Sequence, residues 1–308
     1  MAKGDTIWNL EFPSWCDVLT IGGYRFERID GYEEALKSLH RTVAVSYEFQ
    51  LDVGTGGHAQ TAVVHRPAKE CGAVLDWQEK DATELDDILL LLTLLTSRDV
   101  FCSPREINGA VTCDPRIHQY GHVLRTALPR TMKSVDPAPN RCWIGLEEGL
   151  NAVHDLVRDP EWRAKHGGGY FLFLLRQAVL ARTIESAFIQ YWTILEHLFA
   201  VLHGPWMSDR QIQQLEACDK MCFFLVEYAL ASEIEEKGRQ RIRELVRTRN
   251  RLVHNGRFPE KSTANADAVL FTELAEFVVA KILGLAPTEL FNTMERFEKF
   301  LTRAGEGG

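Results

Sequence analysis

The sequence predicts an α+β protein: a mainly β N-terminal domain over residues 1–130, a linker over 131–144, and an all-α helical bundle over 145–308. Three observations predict it. The first 130 residues are rich in β-branched and aromatic runs broken by glycine turns. Residues 131–140 (TMKSVDPAPN) hold two prolines and an asparagine, which suit a connection. Beyond them the apolar period becomes helical and stays so.

In the N-terminal domain, Gly22-Gly23 punctuates a strand region from Asp17 to Arg28. Asp30 to His40 is predicted as a short helix. Thr42 to Val53 (TVAVSYEFQLDV) reads as a strand, Thr55-Gly56-Gly57 as a turn, and Thr61 to His65 as a further strand. Asp81 to Leu95 is a helix that Asp81 or Thr83 can cap, with Glu84, Asp86 and Asp87 in its acidic first turn. Strand-like pieces return near Val100 and from Ala110 to Leu124.

In the bundle, Gly145 to Arg158 forms the first helix and stops before Pro160. Gly167-Gly168-Gly169 is a flexible loop. Tyr170 to about Arg182 and Thr183 to about Leu202 are long apolar helices, ended by Gly204-Pro205. Ser208 or Asp209 caps a helix to about Leu230. Ser232 and Glu235 form an S-x-x-E capping box for a helix that runs to His254, where Asn255-Gly256 stops it. Two helices complete the chain, Ala264 to Leu283 and Thr288 to Arg303.

Composition excludes several classes. At 45% hydrophobic and 25% charged, the chain is globular and not disordered. A net charge of −8 argues against coating nucleic acid with the whole surface. The N-terminus shows no basic region followed by an apolar run, so no secretory signal is expected. The apolar windows Ile88–Leu95 and Tyr170–Leu175 are far too short to span a bilayer. Seven scattered cysteines suit reduced thiols, so a cytoplasmic setting without membrane attachment is expected.

One segment departs from the acidic average. Between Lys237 and Arg257 there are eight cationic residues and one anionic one, Glu244, for a local charge of +7. Such a field attracts a polyanion while the acidic remainder repels indiscriminate contact. Asn250 and His254 are four apart and share a helix face, and Arg249 lies about 140° round from His254. Leu245, Val246, Leu252 and Val253 are expected to anchor this helix in a core. Histidine exchanges a proton near neutral pH, and arginine offers a fixed planar cation to a phosphate. Together they suit RNA cleavage without a metal. One group removes the ribose 2′-OH proton, one protonates the leaving 5′-oxygen, and a cation stabilises the phosphorus. One histidine can hardly serve both ends, but two copies in a dimer can.

Arg249-Asn250-Arg251-Leu252-Val253-His254 resembles the R-x4–6-H motif of HEPN domains, in the form R-N-x-x-x-H. Phe188 to Ala200 (FIQYWTILEHLFA) is similar to the aromatic and Leu-Glu-x-Leu stretch of the Apea-like HEPN branch, as are Asn255-Gly256 and the order of β-rich half before helical half. The resemblance covers residues 145–303. For residues 1–130 it is one of arrangement only. It implies a helical bundle that dimerises so that two motifs meet in one cleft. It also implies a metal-independent endoribonuclease of antiphage defence, abortive infection or toxin-type growth arrest, with tRNA as the first candidate substrate. By motif position Arg249 and His254 are catalytic, Asn250 supports them, and Glu196 matches an acidic helix position that contacts the motif in some members. Arg243, Arg247, Arg251 and Arg257 are the candidates for binding RNA.

Other constellations carry less. Cys113, His118 and His122 have a spacing open to zinc, but no CxxC supports it and neither metal nor cofactor is expected. Cys218 and Cys222 read as two buried helix cysteines, and His197 and His203 as packing or interface residues. The N-terminal domain is expected to sense a trigger or bind an inhibitor protein, with Gly54 to His58 as a candidate loop. The rival to the nuclease is a non-catalytic HEPN-like module that binds a nucleotide or a protein.

Overall fold

The computed structural model describes residues 4–12, 16–40, 59–75, 81–96, 100–102, 106–107, 110–111, 146–179, 181, 183–228, 233–258, 264–285 and 293–302. The expected strand at Thr42–Val53, the loop at Gly54–His58, most of the strand-like stretch at Ala110–Leu124, the linker at 131–140 and the trio Cys113, His118 and His122 lie outside them. The architecture is α+β, with an antiparallel sheet followed by helices. Among the described residues the chain forms two compact units that divide at Pro160.

The first unit holds β1 (Asp5–Trp8), β2 (Val18–Ile21), β3 (Tyr24–Arg28), α1 (Tyr32–His40), β4 (Gln60–His65), α2 (Glu84–Thr96), β5 (Phe101–Cys102), β6 (Glu106–Ile107), β7 (Ala110–Val111) and α3 (Leu146–Arg158). Five strands form one sheet in the order β2-β3-β4-β1-β5, and β6 pairs with β7. β1 is a strand not foreseen from the sequence. It pairs with both β4 and β5, and a register irregularity falls between Ile7 and Trp8. Gly22 (φ 57) and Gly23 (φ 86) make the two-residue turn joining β2 to β3, where both central residues need positive φ. α2 is apolar almost all round and is buried accordingly, from Leu85 to Leu95. Ahead of it, Thr83 donates both its N–H (2.8 Å) and its hydroxyl (3.1 Å) to the Asp86 carboxylate.

α3 belongs to this unit and not to the bundle, although its helical period is what assigned it to the bundle in the sequence. The physical reason is a polar stripe. Glu147, Asn151, His154 and Arg158 share one face. Glu147 accepts from the Thr20 N–H (3.0 Å), and Asn151 donates to the Thr20 carbonyl (2.8 Å) and accepts from the Gly22 N–H (3.2 Å). The open edge of β2 is thereby satisfied by side chains. His154 and Arg158 reach Glu84 of α2 at 3.1 and 3.5 Å.

The second unit holds α4 (Pro160–Lys165), a 3-10 turn at Gly167–Gly169, α5 (Tyr170–Val179), α6 (Ile184–His203), α7 (Asp209–Gln214), α8 (Ala217–Glu227), α9 (Glu236–Asn255), α10 (Ala264–Ile282) and α11 (Thr293–Thr302). The helix expected from Ser208 to Leu230 is two helices. Ser208 caps α7 through a capping box with Gln211, and extended backbone at Leu215 and Glu216 separates it from α8. The core lies where α6 packs on α5 and α10. Trp192 stacks on Phe271 with ring centres 4.7 Å apart, and Phe188 meets Phe271 edge-on. Tyr191, fully buried, donates its hydroxyl to the equally buried Glu276.

Candidate functional site

Two helices carry the motif residues. α6 starts where Thr183, at the N-cap, accepts from the Ser186 N–H (3.2 Å). Its aromatic face faces the core, and it places Trp192 and Glu196 one turn apart. α9 starts at Glu236 behind Glu235, whose side chain makes no capping bond; Ser232 of the expected capping box lies outside the described residues. It stops at Gly256 (φ 71), whose N–H donates to the Leu252 carbonyl (2.8 Å). Phe258, just past the stop, packs against Phe188 and fixes the exit of the chain. Leu245 and Leu252 anchor α9 as expected. Val246 is half-buried, and Val253 is 54% exposed, because it lies beyond the margin of the buried stripe.

Arg249, Asn250 and Glu196 come together. One guanidinium nitrogen of Arg249 donates to both carboxylate oxygens of Glu196, at 3.2 and 3.3 Å. The other donates to Asn250 Oδ1 at 3.0 Å. Trp192 Nε1 donates to Glu196 at 3.0 Å, and the Arg249 guanidinium lies 5.9 Å from the Trp192 ring centre. The arginine fork is therefore fixed on two sides, while a third of its surface still meets solvent. The sequence marks Trp192 only as part of the aromatic stretch Phe188 to Ala200. The i, i+4 relation to Glu196 was the available signal.

His254 is not part of this cluster. It is exposed in the last turn of α9 and has no hydrogen bond or ion pair among the described residues. On a regular helix it projects about 140° away from Arg249. Within one chain the two motif ends therefore face different ways.

The arginines of α9 differ in their commitments. Arg239 bonds Asp219 (2.8 Å) and Arg243 bonds Glu236 (2.7 Å). Arg241 is buried, pairs with Glu244 and with Asp267 (3.8 Å), and covers the Phe300 ring at 4.9 Å. Arg247, Arg251 and Arg257 are exposed and have no carboxylate partner among the described residues. The +7 of the sequence thus overstates the free charge of the helix.

The remaining candidates behave as packing groups. His203 is buried, donates Nδ1–H to the Phe199 carbonyl (2.7 Å) and stacks on the Phe199 ring. Burial pushes the His197 imidazole below its ordinary range, beside the edge-on Tyr170 ring. Cys218 and Cys222 are buried, and burial pushes both thiols up, Cys222 to about 12, which suppresses thiolate chemistry. Among the described residues no cluster of His, Cys, Asp and Glu forms a metal site, and no helix is long and apolar enough to cross a membrane.

No family model, no curated protein and no solved structure matches this chain.

Proposed function

We propose that the helical unit is a metal-independent endoribonuclease that works as a homodimer. The observation that supports it most is the fixed Arg249 fork beside Asn250 and Glu196, on the same helix as an exposed His254. In this reading the ribose 2′-oxygen attacks the neighbouring phosphorus and the P–O5′ bond breaks. A 2′,3′-cyclic phosphate and a free 5′-hydroxyl result. One His254 takes the 2′-OH proton and the partner's His254 protonates the departing 5′-oxygen. Arg249 stabilises the charge that builds on the phosphoryl oxygens. Glu196 and Asn250 hold its fork in place. The divergence of Arg249 and His254 within one chain supports a cleft completed by a second copy. The biological setting in defence or growth arrest, and tRNA as substrate, rest on the resemblance to HEPN domains alone.

A second reading draws on the same His254. Its ring has no orienting partner among the described residues, which suits a binding module as well as a catalyst. Incubation of bulk tRNA with the wild type and His254→Ala in excess EDTA separates the two. Cleavage by the wild type alone, leaving cyclic-phosphate ends, is expected. Absence of cleavage by a verified dimer favours the binding module, and cleavage by a verified monomer refutes the two-copy site.

A further inference from the structure

Arg243, Arg247, Arg251 and His254 follow one another at intervals of four, four and three residues, so they line one face of α9. Arg247 and Arg251 are about 6 Å apart along the axis, and His254 lies about 4.5 Å further on. Along this line the charge is not uniform. Arg243 is tied to Glu236 at 2.7 Å, and Glu236 is itself 76% exposed, so a carboxylate stands beside the first cation. Arg247 and Arg251 carry no such counter-charge among the described residues. One turn before Arg243 on the same face, Arg239 is committed to Asp219, and off that face Arg241 is committed to Glu244 and Asp267.

We propose that this face is a one-strand phosphate track. A single RNA strand lies along α9 with successive phosphates on Arg247 and Arg251 and its reacting phosphate at His254. Glu236 closes the track at Arg243. The proposal rests on the reading of the site as an RNA site, and it adds which cations bind and where the strand stops. A single line of cations one turn apart addresses one backbone. A duplex presents two, and its A-form major groove is too deep and narrow to admit the helix. Glu236 is a repulsive element, since a phosphate placed at Arg243 meets its carboxylate as well.

The test is salt-dependent binding of fluorescein-labelled oligo-U to the full chain in a His254→Ala background, which binds without cutting. Each phosphate contact contributes about 0.7 to the slope of log K against log salt for a single strand. Arg247→Gln and Arg251→Gln are each expected to flatten the slope by about 0.7, and Arg243→Gln to leave it unchanged. Glu236→Gln frees Arg243 and is expected to steepen it by a similar amount. Glu236, Arg247 and Arg251 are exposed and Arg243 is part-exposed, and matched melting temperatures confirm that the variants fold. The track is overturned if Arg243→Gln flattens the slope as much as Arg247→Gln, or if Glu236→Gln changes nothing. An oligo-U·oligo-A duplex bound as tightly as the strand, or no binding at all, also overturns it. The expected slopes in a chain whose wild type never cuts RNA keep the track and remove the nuclease. Cleavage together with a slope set equally by Arg243 does the reverse.

Discussion

Arg249 of α9 is tied to Glu196 of α6, with one guanidinium nitrogen 3.2 and 3.3 Å from the two carboxylate oxygens. Both side chains remain about one-third exposed, so the pair itself adds little stability, under about 1 kcal/mol. Its role is to hold the fork. Glu196→Gln keeps the shape and the oxygen that accepts from Trp192, but removes the charge. In the proposed reaction kcat is expected to fall roughly tenfold with KM unchanged, a positioning effect. Arg249→Lys keeps the charge and loses the planar fork that serves Glu196 and Asn250 together, and a loss of about a hundredfold or more is expected. Steady-state cleavage of a labelled oligoribonucleotide reads both. A lysine variant as active as the wild type would remove the fork from the mechanism.

His254 and Gly256 sit two residues apart and have opposite expected effects. His254 touches no partner among the described residues, so His254→Ala is expected to change stability by no more than about 0.5 kcal/mol while abolishing cleavage. Gly256 holds φ 71 at the helix stop with open space around its Cα, so Gly256→Ala meets no clash. It still costs about 1 kcal/mol for the left-handed backbone. That variant is expected to melt a few degrees lower and to cleave more slowly without losing cleavage. Paired melting and activity measurements decide this. Equal activity losses in both variants would make His254 a structural residue.

The sequence carried the helical half well because its signals are local. The Ser208 cap, the Gly256 stop and the long apolar faces of α5 and α6 depend on neighbours in the chain. The motif pairing was legible in part. Arg249 and Asn250 are adjacent, but their link to Glu196 spans 53 residues and appeared only through the family resemblance. Membership of α3 was not legible, because periodicity reports that a face is apolar and not which layer covers it. The neutralised half of the basic helix was hidden for a similar reason. Asp219 and Asp267 lie on other helices, and Glu236 is seven residues away, so no local count subtracts them.

Burial sets an alkaline limit on stability. Tyr32 is pushed up to about 12, and Tyr24, Tyr191 and Tyr228 are also raised, with desolvation the main cause in each. Cys16, Cys218 and Cys222 move the same way. In the unfolded chain these groups lose their protons near pH 9 for the thiols and pH 10 for the phenols, while the folded chain keeps them. The unfolded state then binds fewer protons, so stability falls as pH rises. Urea midpoints are expected to hold steady between about pH 7 and 8.5 and to decline from about pH 9 upward. Cys222→Ala is expected to make the decline shallower at its onset. A midpoint unchanged to pH 11 contradicts the buried thiols and phenols.

The clamp of α3 on the sheet makes a sharper stability prediction. Gly22 holds φ 57 at the β2–β3 turn, and a Cβ there would lie 2.6 Å from His154 Cε1 and 3.2 Å from a Glu84 oxygen. His154 is 2% exposed and cannot retreat without moving α3 or breaking its approach to Glu84. Gly31 supplies the control, with φ 78 and nothing within 4 Å of its would-be Cβ. Both Gly→Ala changes carry the left-handed backbone cost of about 1–2 kcal/mol. Gly22→Ala adds the overpacking cost of about 1–3 kcal/mol. Its urea midpoint is therefore expected to fall well below that of Gly31→Ala. Adding His154→Ala to Gly22→Ala relieves the clash, so the pair is expected to be less destabilised than the sum of the two single variants. Strict additivity would mean that α3 does not press on the turn, and that its polar stripe seals the β2 edge without fixing the helix.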